Sequence, residues 1–190
     1  MFMFDIETLG IETSSVILSA ALIKFNDEQS YQELLDAAIF VKFSVKEQIE
    51  IYKRTVDKST LDWWKTQNQK SLKKSFVPSV NDLNFLDGAQ LISDYFNNNK
   101  SSKNDLIWTR GHFDEIIYGN LCRTAGIESF AHFGSFRDVR TAIDILSNES
   151  KRGYCPVYFK GFDVSKVEKH DPVHDCAYDI MQLCHFMPKD

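Results

Sequence analysis

Apolar residues cluster in three short stretches near the start of the chain, and each has the length of a β-strand. Residues 1–6 are apolar, residues 16–25 are rich in Val, Ile, Leu and Ala, and residues 37–43 alternate apolar with more polar positions. Short runs and alternation of this kind are typical of strands. The pattern therefore predicts three successive strands, β1 to β3.

Helical spacing replaces the strand pattern from residue 44 onward. The charged stretch 44–75 is expected to be helical, with Ser59 capping a segment that contains Trp63 and Trp64. In the last helix, Asp171 is the expected cap and Pro172 the first residue. The further predicted elements are helices over 85–96, 113–125, 138–146 and 172–187, a loop over 97–102 and a β-like run over 105–109. This order predicts an α/β fold.

Composition adds the scale of the protein and excludes several classes. The chain has 190 residues, of which 43% are hydrophobic and 26% charged, so neither a disordered nor a fibrous protein is expected. We expect one domain over residues 1–190. The formal net charge of −5 indicates no overall attraction for nucleic acid or anionic membranes.

Cysteine spacing and hydropathy indicate the cellular location that we expect. Cys122, Cys155, Cys176 and Cys184 form no CxxC pair and no zinc-type pattern. The apolar stretch 15–25 is about half the roughly 20 residues needed to span a bilayer, and no secretory signal is recognised. We expect a cytoplasmic protein that has no membrane association and no obligate protein partner.

Two carboxylates near the end of β1 are the first chemical signal. Side chains alternate along a strand, so Asp5 and Glu7 project from one face while Phe4 and Ile6 point to the other. A desolvated carboxylate is costly unless something neutralises it, and a divalent cation would do so. The competing interpretation is that both acids lie at a solvated strand end.

Two more acids lie at odds with apolar surroundings. Asp114 follows Phe113 at the start of a predicted helix, and Asp179 comes five residues after His174. Each has an ordinary explanation, since Asp114 could be a first-turn acid favoured by the helix dipole and Asp179 could lie on a solvated helix face. Neither residue identifies a site by itself.

The order of these acids resembles the DEDDh group of 3′–5′ exonucleases, and most closely those of T-even-type phages and related exoribonuclease-like domains. The resemblance implies a ribonuclease-H-like fold, an α/β mixed sheet in which an antiparallel β1–β2–β3 meander leads into β–α units flanked by helices. The sequence blocks that carry it, in order, are FDIET at 4–8, KSTLDWWK at 58–65, RGHFD at 110–114, RDVRT at 137–141 and HDPVHDCAYD at 170–179.

The resemblance also implies a mechanism, a metal-dependent hydrolysis with two Mg²⁺ or Mn²⁺ ions. His174 is then the expected general base, since H-x-x-x-x-D spacing joins it to Asp179. The same spacing from His170 would require Asp175 as the ligand instead, and we expect the first register. The metal ligands implied by the resemblance are Asp5, Glu7, Asp114 and Asp179.

Substrate contacts are expected around β1 and two aromatic residues. The resemblance implies that backbone amides at Thr8 and Leu9 contact the terminal nucleotide and that Leu9 wedges against its base, although Leu9 could equally be core. Phe113 and Trp64 are candidate stacking surfaces. Trp63 and Trp64 lie about 100° apart on one helix, so one of them is expected to be partly exposed, and the sequence does not show which. Between residues 42 and 74, nine basic and four acidic residues give a local charge of +5, which is either a solvated helical face or a lip that guides a strand.

We therefore expect a 3′–5′ exonuclease that converts single-stranded DNA to nucleoside 5′-monophosphates. An oligoribonuclease-like activity on RNA is the alternative from the same class, because the sequence does not reveal contacts to a 2′-hydroxyl. From another class, the chain could be a catalytically silent nucleic-acid-binding module.

Overall fold

One mixed β-sheet organises the protein. The computed structural model describes residues 1–102, 104–149 and 162–188, so Cys155 lies outside the described residues. The strands of the sheet are β1 (Phe2–Thr8), β2 (Ile17–Lys24), β3 (Ile39–Lys42), β4 (Ile107–Thr109) and β5 (Phe136–Asp138). Their spatial order is β3-β2-β1-β4-β5. The β1–β2 and β2–β3 pairs are antiparallel, whereas β1–β4 and β4–β5 are parallel. The expected α/β fold, in which an antiparallel β1–β2–β3 meander leads into β–α units, is confirmed.

Helices connect and cover these strands. The α-helices are α1 (Tyr31–Ala37), α2 (Val45–Glu50), α3 (Lys58–Trp64), α4 (Gln69–Ser71), α5 (Phe85–Asn99), α6 (Phe113–Thr124), α7 (Val139–Ser147) and α8 (Pro172–Phe186). A π-helical turn over Leu72–Phe76 extends α4, and Val164–Lys166 form a 3₁₀ turn before α8. No helix in the described ranges combines the length and the apolar character needed to cross a bilayer.

Helix α1 interrupts the three strands that were predicted in succession. A reciprocal capping box starts it, because the Ser30 hydroxyl accepts from the Glu33 N–H and the Glu33 carboxylate accepts from the Ser30 N–H. Leu34 is its only buried residue. Tyr31 and Leu35 also pack, partly buried, on the second core, but a helix of 7 residues gives too short a pattern to distinguish it from a loop.

Two helix boundaries also differ from expectation. Asp57, not Ser59, caps α3, since its carboxylate accepts the Thr60 N–H at 2.8 Å. Helix α5 continues to Asn99, into the segment expected to be a loop, and the Asn99 side chain donates to the Tyr95 carbonyl at 2.8 Å. By contrast, α6, α7 and α8 begin where the sequence predicts.

The two faces of β1 have different partners, and this difference positions the acids. Phe2, Phe4 and Ile6 pack in a core with α5 and α6, whereas Met3 packs in a second core with α7 and α8. Strand alternation therefore puts Asp5 and Glu7 on the α8 side of the sheet. The acids of β1 face the last helix.

Close packing of α5 on β3 gives a test of this architecture. A Cβ atom on Gly88 would lie 2.5 Å from Cε1 of Phe43 and 2.7 Å from Cγ1 of Val41. Because both neighbours are buried, we expect Gly88→Ala to reduce the free energy of unfolding by about 1–3 kcal/mol and to lower the Tm by several degrees in thermal unfolding.

Gly119→Ala is the matched control, since a Cβ there would meet only the Arg123 side chain, at 3.7 Å. Alanine favours a helix interior by roughly 0.5–1 kcal/mol relative to glycine, so this variant should be at least as stable as the wild type. A Gly88→Ala variant of unchanged Tm would contradict the packing.

Candidate active site

A cavity of about 780 Å³ opens where β1 and β4 end. These strands are parallel, so their carboxyl ends meet at one edge of the sheet, which is the usual place for a ligand site in such folds. The β4–α6 loop, the first turn of α6 and the first half of α8 supply further walls. Its charged or titratable lining residues are Asp5, Glu7, Arg110, His112, Asp114, Arg140, Lys169, His170, Asp175, Tyr178 and Asp179.

Asp5 and Glu7 form the floor of the cavity. Burial raises the pKa of both carboxyls well above their usual range, and neighbouring acids raise it further. For Asp5 the strongest of these neighbours is Asp114, and for Glu7 it is Asp175. Carboxyls from three different elements are thus close enough to repel one another. The sequence pattern predicted the shared face of Asp5 and Glu7.

Asp114 enters from the first turn of α6 and is almost fully buried. Burial raises its pKa to about 8, although the backbone N–H of Ile6 and the charge of Arg140 act in the opposite direction. Its Oδ2 atom accepts no hydrogen bond from any described residue. A buried carboxylate oxygen without a donor is a site that a cation would satisfy.

Helix α8 brings Asp175 to the same place. Asp171 accepts the Val173 N–H at 3.0 Å and caps the helix, and Pro172 follows at its first position. Burial, followed by the charge of Asp179, raises the pKa of Asp175 to about 7, whereas the His170 N–H stabilises the ionised form through a 2.9 Å hydrogen bond. The sequence predicts this start of α8. Asp175 is the metal ligand only in the alternative register, in which the H-x-x-x-x-D spacing begins at His170.

His170 lies beside these acids, just before the helix cap. Its φ of 63° is in the left-handed region, which is uncommon for residues other than glycine. One ligand atom from each of Glu7, His170 and Asp175 lies within 4.8 Å of the others. The Trp63 ring contacts the imidazole edge-on, at 4.7 Å between centroids. His170 therefore lies between the Trp63 ring and the acids Glu7 and Asp175.

His174, the expected general base, does not line this cavity. Its Nδ1 atom lies 2.8 Å from the Tyr31 hydroxyl on α1, and the Glu168 N–H approaches the same nitrogen at 3.4 Å. Residues one apart on a helix point about 100° apart, so His174 faces α1 while Asp175 faces the acids.

Asp179, an expected metal ligand, lines the cavity but is engaged by a cation of the chain itself. Arg110 donates from Nε to Oδ2 at 2.8 Å and also from Nη2 to Oδ1. Gln182 donates to Oδ1 at 3.3 Å. Both carboxylate oxygens of Asp179 thus have donors.

Three of the four expected substrate residues are buried, and Phe113 is partly buried. Leu9 packs in the core with Trp64, which is fully buried and donates its indole N–H to the Thr8 carbonyl at 2.9 Å. Thr8 is also buried, and its hydroxyl donates to the Gly10 carbonyl. Phe113 lines the cavity. Trp64, a candidate stacking surface, is therefore buried, and Leu9 takes its alternative place as a core residue.

Two apolar residues near Leu9 and Trp64 in the sequence are exposed instead. Ile11 lines the cavity and is 79% exposed, and Trp63 is 41% exposed. The polar, glycine-containing loop after β1 was the available signal for Ile11, because an isolated apolar residue in such a loop has no core to fill. The identity of the exposed tryptophan depends on tertiary packing.

Much of the basic segment 42–74 is paired within the protein. Lys70 pairs with Glu168 and Lys74 with Asp171, so α4 and its π-helical turn hold the segment that precedes α8. Ser71 adds a hydrogen bond to the Lys169 carbonyl at 2.6 Å. Part of the basic segment therefore stabilises the loop that carries His170.

The donor set fits a hard divalent cation. Carboxylate side chains from β1, α6 and α8 line one cavity, and oxygen ligands of this kind are those that Mg²⁺ and Mn²⁺ prefer. The unpartnered Oδ2 of Asp114 and the mutual repulsion of the acids are the structural features that a cation would relieve.

Comparisons with known proteins identify the family of the chain. The family model for the 3′-5′ exoribonuclease Rv2179c-like domain matches residues 1–185. The chain is also 30% identical over 201 residues to an exodeoxyribonuclease of Enterobacteria phage T4, an alignment that covers 96% of this chain and 86% of the phage protein. The expected resemblance to 3′–5′ exonucleases and the expected fold are confirmed.

The raised carboxyl pKa values predict a pH dependence of stability. Asp114 and Asp175 have folded-state pKa values of about 8 and 7, far above the roughly 4 of an unfolded chain. The folded state therefore binds more protons, and its stability falls as pH rises through these values. In EDTA we expect the Tm to decrease between about pH 6.5 and pH 8, a range in which histidines are mostly neutral.

Added Mn²⁺ should raise the Tm more at the upper end of this pH range than at the lower end, because the cation compensates ionised acids. Asp114→Asn should show a shallower pH dependence in EDTA than the wild type. A wild-type Tm that is constant or increases over this range in EDTA would contradict the electrostatic description.

Proposed function

Since the chain belongs to the family of 3′-5′ exoribonuclease Rv2179c-like domains, we propose that it hydrolyses single-stranded nucleic acid from the 3′ end with two divalent metal ions. It is a nuclease of the 3′–5′ exonuclease type. The observation that carries the metal-dependent mechanism is the convergence of Asp5, Glu7, Asp114 and Asp175 in one cavity, with His170 beside them.

The proposed metal ligands are Asp5, Glu7, Asp114 and Asp175. When bound, two Mg²⁺ or Mn²⁺ ions would lower the pKa of the attacking water and neutralise charge on the reacting phosphate. Asp175 replaces Asp179 in this set, because both oxygens of Asp179 already accept hydrogen bonds from Arg110. The two acids lie four residues apart on α8, so either satisfies the same helical pattern.

His170 is the proposed general base in place of His174. Its ligand atom lies within 4.8 Å of those of Glu7 and Asp175, whereas His174 contacts Tyr31. Burial and the nearby Lys169 lower the pKa of His170, so at neutral pH its imidazole has an unprotonated nitrogen. It would accept the proton of the attacking water, a role typical of histidine.

The proposed reaction forms one bond and breaks one. The water oxygen bonds to phosphorus while the bond from phosphorus to the 3′ oxygen of the preceding nucleotide breaks. That oxygen leaves as a hydroxyl after taking up a proton, and the released product is a nucleoside 5′-monophosphate. His170 holds the proton that the water gives up.

The terminal nucleotide would lie between the acids and the apolar rim. Ile11 and Phe113 line the cavity on the β1 and α6 sides, and Trp63 is exposed next to His170. Apolar and aromatic surfaces hold any base without reading its identity. These contacts suit an unpaired 3′ end, because a paired base could not enter the cavity alone.

We favour DNA as the substrate, and RNA is the second candidate. The phage relative is named an exodeoxyribonuclease and aligns over 96% of this chain, which supports DNA. The family model is described by an exoribonuclease activity, which supports RNA. The choice depends on contacts to the 2′ carbon of the sugar.

The test of this function is the shortening of 5′-labelled single-stranded DNA and RNA in Mg²⁺ or Mn²⁺. We expect stepwise removal of nucleotides from the 3′ end, faster on DNA, and complete loss in EDTA. His170→Ala should reduce the rate roughly 100-fold or more, as expected for loss of a general base, and Asp114→Asn should abolish activity. Faster shortening of RNA would assign the RNA alternative.

His174→Ala is the matched control, because the two histidines are four residues apart and differ in whether they line the cavity. It should fold and retain most of the wild-type rate. Loss of activity in His174→Ala with retention in His170→Ala would reverse the assignment. Binding of a labelled strand without shortening would instead indicate a catalytically silent module.

Ile11 gives a separate prediction about substrate binding. Removing its exposed side chain takes away apolar contact with the terminal nucleotide, so Ile11→Ala should raise KM about three- to tenfold, as for a contact worth about 1 kcal/mol, with little change in kcat. Because Ile11 is 79% exposed, the Tm should not change. An unchanged KM would exclude Ile11 from the binding surface.

A further inference from the structure

The ion pair between Arg110 and Asp179 is built into the wall of the acidic cavity. Asp179 is almost fully buried, and the Arg110 side chain is only partly exposed. The guanidinium meets the carboxylate through Nε and Nη2, which is the two-point geometry that orients arginine most firmly. Removing either partner would leave the charge of the other without its counter-ion in a largely buried position, which is costly.

Arg110 is anchored at its backbone as well. The next residue, Gly111, has a φ of 82°, and its N–H donates to the Asp138 carboxylate at 2.9 Å. Asp138 in turn caps α7. The guanidinium is therefore oriented by Asp179 at one end and by the β4–α6 loop at the other.

The acids proposed to bind metal lie within electrostatic reach of this guanidinium. Burial alone would lower the pKa of Arg110, but the charges of Asp179, Asp175 and Asp5 together raise it. Asp175 precedes Asp179 by four residues, so both project from the same face of α8. Besides Asp179, the carboxylates whose charges act on this guanidinium are thus Asp175 and Asp5, two of the acids proposed to bind metal.

We propose that Asp179 is a positioning residue that holds Arg110 away from Asp175 and Asp5, so that divalent cations rather than the guanidinium neutralise these acids. The inference rests on the proposed function, because it assumes a metal site at these acids. It differs from the expectation that Asp179 is itself a ligand. In this arrangement Asp179 acts on the metal only through Arg110.

A double-mutant cycle with direct Mn²⁺ binding distinguishes the two roles. Mn²⁺ is titrated into wild type, Asp179→Asn, Arg110→Gln and the double variant, and bound ion is followed by calorimetry and by the loss of the free-ion EPR signal. We expect Asp179→Asn to weaken binding about tenfold or more, a size known for residues that act around a metal site. Arg110→Gln should bind at least as tightly as the wild type.

The decisive comparison is the double variant. Removing Arg110 from the Asp179→Asn background removes the competing cation, so Mn²⁺ affinity should return close to the wild-type value. An affinity that stays as weak as in Asp179→Asn would mean that Asp179 binds the ion directly. An Asp179→Asn variant of wild-type affinity would also overturn the proposal.

Controls separate this proposal from the function and from folding. Asp62→Asn removes an exposed ion pair with Lys65 and should leave Mn²⁺ binding unchanged. Failure of the wild type to bind Mn²⁺ would contradict the proposed function itself. If Asp179→Asn does not fold, Arg110→Lys serves instead, because lysine lacks the two-point contact; it should weaken Mn²⁺ binding, and unchanged binding would overturn the proposal.

Discussion

Repulsion among buried carboxyl groups is the constraint on which the rest of the structure depends. Asp5, Glu7, Asp114 and Asp175 come from three elements. Besides burial, the charges of Asp114 and Asp175 raise the pKa values of Asp5 and Glu7. At an effective dielectric constant of about 20, two such charges roughly 4 Å apart repel by about 4 kcal/mol. The fold must therefore hold these groups together against their own electrostatics. The strands and helices that carry these groups are held in place by two hydrophobic cores, one on each face of the sheet.

The loop directly before α8 has the least regular backbone near the cavity. His170 is in a left-handed conformation directly before α8, and this conformation has no intrinsic preference in its favour. Ion pairs from Lys70 and Lys74 and a hydrogen bond from Ser71 fix the surrounding residues. A π-helical turn continues α4 at this point, and such turns often occur at functional sites. The supporting shell is thus more extensive than the site itself.

Sequence reasoning succeeds where a local rule decides and fails where tertiary packing decides. Strand alternation placed Asp5 and Glu7 on one face, and the cap and proline located the start of α8. The H-x-x-x-x-D spacing, however, occurs twice, and a shift of four residues rotates a helix position by only about 40°. Asp175 and Asp179 therefore share a face, and no pattern distinguishes them. Their partners do, since Arg110 binds Asp179.

The tryptophans and the first loop illustrate the same limit. Trp63 and Trp64 differ by about 100° around α3, so both cannot face the core and one is expected to be exposed. The choice depends on the Thr8 carbonyl, which accepts the Trp64 indole N–H. Ile11 was overlooked because hydrophobicity alone does not distinguish a core residue from an exposed one. Helix α1 has 7 residues, which is too short a segment for its apolar spacing to indicate a helix.

Charge gives the last step in relating this fold to its substrate. The segment 42–74 has a local charge of +5, but much of it is paired, including Lys42 with Asp82 and Lys65 with Asp62. Paired lysines attract a phosphate chain weakly, and the cavity itself is acidic. Under the proposed function, a bound cation would compensate these carboxylates when a phosphodiester approaches. In the proposed mechanism, substrate binding and metal binding are consequently coupled, and the net charge of −5 is compatible with a nuclease.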